Sequence, residues 1–411
     1  MRLALVVQRY GLEIAGGAEY HCRLVAERLT RHARVEVLTT CATDYLTWEN
    51  REPEGTSDVN GVRVRRFPVE RPRDALRFAS LTAHVFGEAA RTEPGRVDVA
   101  RARGASQADA SQWLEEQGPL SARLVRHIEQ SRDEHDAFIF FSYRYHPTCR
   151  GLPPVATKAL LVPTAEDDGT YHLPIYPPLF RAPRAIVFNS VEEREMLARA
   201  VGPGLAGGDV VGVGTELPTT RDAARFRLRQ GIDGPFLLYV GRVDLNKGCP
   251  DLFEHFLRYR RETGSRLRLV LLGKSVLEIP RDPGIVALGQ QPDAVKWDAL
   301  EACLAFVMPS RFESLSMATL EAWWAERPVL GNARCDVLRG QCKRANAGLY
   351  YSSYEEFEAA LALLEGDEHL RARLGEHGRA YFEAHYSWPV IERKYLALLE
   401  PIVGSDSRRS A

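Results

Sequence analysis

The sequence predicts an α/β chain built from two doubly wound, Rossmann-like halves, with helices at its end. Three observations carry this. Strand-length apolar segments alternate with helix-length segments along most of the chain. The strand segments are almost continuously apolar, as in parallel sheets covered on both faces. The length, 411 residues, is enough for two domains of ordinary size.

Taken in order, residues 3–7 form the first strand candidate, followed by a glycine-bearing loop and a helix over about 18–31. Strands follow at 34–39 and 61–67, the second alternating Val62 and Val64 with Arg63 and Arg65. The wholly apolar 137–141, then 160–163, 185–189 and 210–213, continue the series. Residues 68–134 interrupt the rhythm: an amphipathic stretch around Leu76–Leu81, an Arg/Ala/Gly-rich run over 91–104, and a helix over 119–130. This segment reads as an insertion with a mobile loop over a binding face. A linker over 216–234 carries a short helix. Strands at 236–240, 267–272, 285–288, 304–308, 328–331 and 348–350 form the second series, with helices near 249–261, 293–301, 316–326 and 354–365. Segments 368–385 and 388–399 are helical. The expected division is 1–215, 216–385 and a terminal helix with its tail over 386–411.

Composition narrows the function. Lys+Arg total 54 and Asp+Glu 55, for a formal net charge of -1, which argues against a nucleic-acid binder. Runs such as 236–240 are of strand length, far from the ~18 apolar residues of a membrane span. The run 3–7 ends at Gln8 and Arg9, too short for a signal peptide. The seven cysteines include no Cys-x-x-Cys pair, so neither a zinc site nor a disulfide framework is expected, and scattered thiols suit a reducing cytoplasm.

In doubly wound sheets ligands bind beyond the carboxyl ends of the strands. After the first strand stands Gly16-Gly17-Ala18-Glu19, where glycines admit close approach to backbone amides and a helix N-terminus favours an anion; an ordinary flexible turn has the same composition. After 236–240 stands Gly241-Arg242-Val243-Asp244-Leu245-Asn246-Lys247-Gly248, two cations suited to a diphosphate, or else to plain solvation. After 304–308, Glu313 precedes a helix and Glu321 lies inside it, ~12 Å further along the axis. Carboxylates so spaced accept hydrogen bonds from two different rings of one ligand. Glu313 also reads as charge compensation at a helix start, and Glu321 as a surface residue.

Together these motifs resemble the family 4 retaining glycosyltransferases of the GT-B fold, over about residues 1 to 400. The resemblance implies two facing Rossmann-like domains, the first for the acceptor and the second for a nucleotide-sugar donor, with C-terminal helices crossing back. It implies that Arg242 and Lys247 neutralise the leaving diphosphate, that Glu313 binds the donor sugar and Glu321 the ribose, and that Gly16, Gly17, Gly241 and the backbone of Leu315, Ser316 and Met317 line the donor. Glu313, Arg242 and Lys247 are the implied catalytic set. With no Asp-x-Asp in the chain, no metal and no cofactor are expected, and protein cations take over the charge stabilisation.

Many members of the family carry a His just after the strand matching 137–141; here Phe141 stands there, with His146 five residues on. Glu166 and Asp167 follow the next strand where a His is frequent. Tyr143, Tyr145, His146, Glu166 and Asp167 are therefore the acceptor-side candidates, with Tyr171 and Tyr176 as further groove-lining rings; the tyrosines read equally as core or rim residues, and Glu166 and Asp167 as a solvated acidic turn. Arg63, Arg65, Arg66, Arg71, Arg73 and Arg77 read as a plain solvated face, or else as a face for anionic lipid head groups or a lipid-diphosphate acceptor. The expected activity is transfer of a sugar to a glycan or lipid-linked acceptor, with retention, in bacterial surface-glycan or glycolipid synthesis, in the cytoplasm or at the inner membrane face. A catalytically silent nucleotide-sugar-binding subunit and a GT-B epimerase or hydrolase are the alternatives.

Overall fold

The structure, a computed structural model, describes residues 1–14, 16–93 and 95–407. It divides into two compact units, Met1–Val213 with the terminal helix Trp388–Ser407, and Gly214–Ser387.

The first unit holds β1 (Arg2–Val6), β2 (Arg34–Thr40), β3 (Gly55–Val59), β4 (Val62–Phe67), β5 (Ala137–Phe141), β6 (Ala159–Val162), β7 (Ala185–Phe188) and β8 (Gly208–Val210). They form one sheet in the order β3-β4-β2-β1-β5-β6-β7-β8. All neighbours are parallel except the edge pair β3–β4. The central strands read as unbroken apolar runs because both faces are covered. Leu3 to Val6 and Ala137 to Phe141 are fully buried. The terminal helix is part of this unit: Lys394 Nζ donates to the Val210 carbonyl at 2.7 Å, and Tyr395 Oη lies 3.1 Å from His21 Nε2.

The second unit holds β9 (Phe236–Val240), β10 (Arg268–Leu272), β11 (Ile285–Ala287), β12 (Ala305–Met308), β13 (Val329–Asn332) and β14 (Gly348–Tyr351). Its sheet, β11-β10-β9-β12-β13-β14, is parallel throughout. The central β9 and β12 deliver their carboxyl ends side by side, which places the loops 241–248 and 309–316 together.

Several elements differ from the sequence expectation. The last strand of the first sheet lies at Gly208–Val210 rather than 210–213; Gly208 packs so closely on the Ile186 backbone that a Cβ would overlap it. The antiparallel edge strand β3, polar and exposed, carries no apolar signal. Of the Arg/Ala/Gly run over 91–104, read as part of a mobile loop, Val99–Gly104 forms a short helix capped by Asp98 and anchored by the buried Ala102, while Pro94 lies outside the described residues; Gln107–Gln117 is a further helix buried through Ala110, Trp113 and Leu114. The helix Asp336–Ala345 is masked in the sequence by Gly340 at its centre, a poor helix former.

Candidate functional site

The loop after β9 is fixed at both ends. The Gly241 amide donates to the Leu272 carbonyl at 2.9 Å, and Val243 to the Lys274 carbonyl at 3.0 Å. Tyr239 Oη donates to the Arg242 carbonyl at 2.7 Å. Asp244, buried, then organises both cations: its carboxylate pairs with Arg242 Nε, and its Oδ1 accepts the Lys247 amide at 2.8 Å. Gly248 closes the loop at φ 68°, capping the helix Cys249–Thr263; a side chain there would run into the Pro309 carbonyl. That contact seats the loop against the one following β12.

In that second loop Ser310 is buried, with its Oγ donating to the Phe312 carbonyl at 3.0 Å. Glu313 is 9% exposed and accepts Lys247 Nζ on Oε1 at 2.6 Å. A buried carboxylate without a partner is costly, so this pair holds the two loops in register. Ser316 caps the helix Met317–Trp324, its Oγ accepting from the Thr319 amide at 3.4 Å and from Thr319 Oγ1 at 2.9 Å. Leu315 and Ser316 are buried and Met317 is half-buried.

Glu321, one turn deeper on that helix, is 5% exposed. Its Oε1 accepts Lys296 Nζ at 2.7 Å and Thr215 Oγ1 at 3.2 Å. The surface reading of Glu321 is thereby corrected: the residue is buried and bonded. The second unit thus brings together Gly241, Arg242, Lys247, Glu313, Leu315, Ser316, Met317 and Glu321 at the carboxyl edge of its sheet. Sequence reasoning missed Asp244, Lys296 and Thr215 as parts of this site. Asp244 stands inside the motif itself, and Lys296 is one of only six lysines in the chain, two of which serve the two glutamates.

In the first unit, Arg9 beyond β1 is buried. It donates from Nε and a terminal nitrogen to Glu19 Oε1 at 2.8 and 2.5 Å, and to the Thr43 carbonyl at 2.8 Å. Gly16 is the N-cap of the helix Gly17–Leu29, and the Glu19 carboxylate folds over it so closely that a Cβ would overlap Glu19 Oε2. The protein's own carboxylate therefore compensates this helix N-terminus.

The acceptor-side candidates divide. Tyr143 is fully buried, its Oη 2.6 Å from Thr170 Oγ1 and its ring edge-on to Tyr176 at 4.7 Å. Tyr171 and Tyr176 are buried too. Of the two readings, core packing and not the groove holds for these three. His146 is also buried, and burial pushes its imidazole down to about 4. Tyr145 and Glu166 are half-buried and Asp167 is exposed, accepting Tyr171 Oη at 2.6 Å. Glu193, unnoticed in the sequence, holds this loop in place. Its two oxygens accept the Ala165 and Asn189 amides, each at 2.6 Å, while burial pushes its pKa up to about 8. The six arginines read as a basic face are each engaged by protein acceptors. Arg63 and Arg65 pair with Glu36, Arg71 and Arg77 with Glu116, Arg66 donates to Ser57 Oγ, and Arg73 to the Glu116 carbonyl. The side chains of Arg63 and Arg77 nevertheless stay more than half exposed.

Residues 220–381 match the family described as "Glycosyl transferases group 1". The chain is 32% identical over 216 residues to the D-inositol 3-phosphate glycosyltransferase of Frankia alni, covering 46% of this chain and 51% of that protein. It spans about half the length of the curated relatives it matches. Among solved structures it is similar to sucrose-phosphate synthase from Thermosynechococcus elongatus, with a TM-score of 0.71 at 16% identity over 98% of this chain and 99% of the other. It is also similar to HepE of Anabaena in complex with UDP, with a TM-score of 0.67 at 13% identity over 98% and 100% of the two chains. The matched stretch 220–381 carries the Arg242/Lys247 loop and the Glu313–Glu321 motif, and the chain as a whole has the GT-B fold.

Proposed function

We propose that this protein is a glycosyltransferase that moves a sugar from a nucleotide-sugar donor to an acceptor hydroxyl with retention of anomeric configuration. The observation that carries the reading is the Lys247–Glu313 pair at 2.6 Å between the loops after β9 and β12, with Arg242 beside it on Asp244. Arg242 and Lys247, both partly exposed, neutralise the diphosphate; Glu313 accepts from donor sugar hydroxyls, and Glu321 from the ribose.

The chemistry asks most of the two cations. As the glycosidic C–O bond breaks, the sugar takes on oxocarbenium character and negative charge grows on the diphosphate. Fixed positive groups at that position stabilise the transition state more than the ground state. Retention follows when the acceptor oxygen bonds to the anomeric carbon on the face the diphosphate leaves, its proton passing to a diphosphate oxygen. The solved likeness to HepE in complex with UDP supports a nucleoside diphosphate as the ligand.

The acceptor is a glycan or lipid-linked hydroxyl in bacterial surface-glycan assembly. A second reading, a small sugar or polyol phosphate acceptor, is favoured by the names of the inositol 3-phosphate and sucrose-phosphate enzymes. A thermal-shift panel of nucleoside diphosphates and their sugars tests the donor reading. At ~100 times the dissociation constant, a true ligand adds roughly 2.7 kcal/mol of stability. No response to any member of the panel overturns the reading. Proton NMR of the anomeric centre in the product then tests retention, and parallel assays with lipid-linked and phosphorylated small acceptors separate the two acceptor classes.

A further inference from the structure

Glu321 is held in an unusual way for a residue that must accept from a ligand. Both of its hydrogen bonds within the protein converge on one oxygen: Lys296 Nζ at 2.7 Å and Thr215 Oγ1 at 3.2 Å, both on Oε1. Among the described residues Oε2 has no hydrogen-bond partner, and it is not sealed from solvent. The carboxylate is 7% exposed and the Lys296 side chain 14%, so the pair is largely desolvated and its geometry matters more than that of a surface pair. Lys296 is itself anchored, 3.2 Å from Asp293 Oδ1 and 5.2 Å from the centre of the Trp297 ring. Thr215 comes from a different stretch of chain, just after the unit begins. Two independent elements thus converge on one carboxylate oxygen.

We infer that Lys296 and Thr215 are positioning residues that pin Oε1 of Glu321, so that Oε2 alone faces the ligand and reads the ribose hydroxyls of the nucleotide. This rests on the reading of Glu321 as the ribose acceptor. A free carboxylate rotates about its last bond and presents either oxygen. A pinned one presents a single acceptor in a fixed direction, so little rotamer freedom is lost when a hydroxyl binds. A hydroxyl hydrogen-bonded to a charged acceptor is held more strongly than one bonded to a neutral group. Selectivity for ribo- over deoxyribonucleotides is the property such an arrangement confers.

Calorimetry on the full-length protein tests this with UDP, ADP and GDP, and then with the 2′-deoxy and 3′-deoxy forms of whichever binds most tightly. The wild type is expected to prefer the ribo form by roughly tenfold to a hundredfold, as for one hydrogen bond to a charged acceptor. Lys296→Met is expected to weaken the ribo form towards the deoxy forms, collapsing the preference to under about threefold while deoxy affinity changes little. Thr215→Val is expected to reduce the preference partway, and Lys296→Arg to retain most of it. A purely structural role for Lys296 lowers all affinities together and leaves the ratio intact. A folded Lys296→Met with the full wild-type ratio overturns the inference, as does an unchanged ratio in Thr215→Val should the lysine variant not fold. Wild-type protein that binds a nucleoside diphosphate without ribose preference overturns it too, yet leaves the glycosyltransferase reading standing. Wild type that binds none of the three overturns both.

Discussion

Lys247 Nζ and Glu313 Oε1, 66 residues apart in the chain, meet at 2.6 Å and join the loops after β9 and β12. The pair places a cation beside the carboxylate that is proposed to bind the donor sugar. Lys247 retains 28% of its side-chain exposure against 9% for Glu313. The lysine is the open partner, placed to meet the diphosphate of the proposed donor first.

That asymmetry sets the expectation for the cations. Arg242→Ala and Lys247→Ala each remove charge from the proposed diphosphate site. The activation barrier should rise by ~2–4 kcal/mol, as for loss of one preorganised electrostatic donor. Folding stability should fall by less, since both side chains are partly exposed. Turnover measured beside urea denaturation separates the two effects. A folded double variant with wild-type turnover refutes the diphosphate role.

The same argument predicts indifference to chelators. With Arg242 and Lys247 proposed to neutralise the diphosphate, EDTA should leave turnover unchanged. Loss of activity in EDTA, restored by magnesium or manganese, sinks this expectation.

Stability should fall in mild acid, and two histidines are the reason. Burial pushes His21 down to about 3 and His146 down to about 4. Both values lie below the ordinary 6.5, so between these limits the unfolded chain binds protons that the folded chain refuses. Their contribution is complete above about pH 6.5 and is lost as the pH falls towards 4, on the order of a few kcal/mol. His21 also meets Tyr395 of the terminal helix at 3.1 Å, so its protonation strains the packing of that helix on the first sheet. Urea midpoints at pH 7 and pH 4.5 measure the slope. In His21→Phe/His146→Phe the slope should flatten, whatever happens to stability at pH 7. An unchanged slope assigns the acid sensitivity elsewhere.

The strand–helix rhythm was legible because parallel strands buried on both faces leave long apolar runs, as in Ala137–Phe141. The polar edge strand Gly55–Val59 and the helix Asp336–Ala345 left no such trace: one has no buried face to mark it, and the other carries Gly340 at its centre. Arg242, Lys247, Glu313 and Glu321 were visible because they lie in short motifs at strand ends. Their partners Lys296 and Thr215 were not, because each reaches Glu321 through the fold from a distant segment, 25 and 106 residues away. Tyr143 and His146 failed for the opposite reason. Their residue types suit an acceptor groove, yet whether a ring after β5 faces inward depends on packing, here against Tyr176 and Phe180 for Tyr143.

The two ends of the Glu313–Glu321 motif should behave differently on mutation. Glu313 lies ahead of the helix, beside the cation proposed to meet the diphosphate and so at the proposed seat of the reacting sugar. Glu321 lies within the helix, on Lys296 and Thr215, at the proposed ribose position. Glu313→Gln keeps the size of the side chain but weakens its acceptance from sugar hydroxyls and its hold on Lys247. The loss should appear chiefly in kcat, since the sugar contacts matter most as the bond breaks. Glu321→Gln turns a carboxylate that accepts from Lys296 into a neutral amide, leaving that half-buried lysine short of a counter-charge. The nucleotide part should therefore bind less well, the free nucleoside diphosphate included. Calorimetry with the nucleoside diphosphate alone distinguishes them: Glu313→Gln should bind it nearly as the wild type does, and Glu321→Gln should not. If Glu313→Gln loses nucleotide affinity while Glu321→Gln keeps it, the roles are reversed and the assignment of sugar and ribose along the helix is wrong.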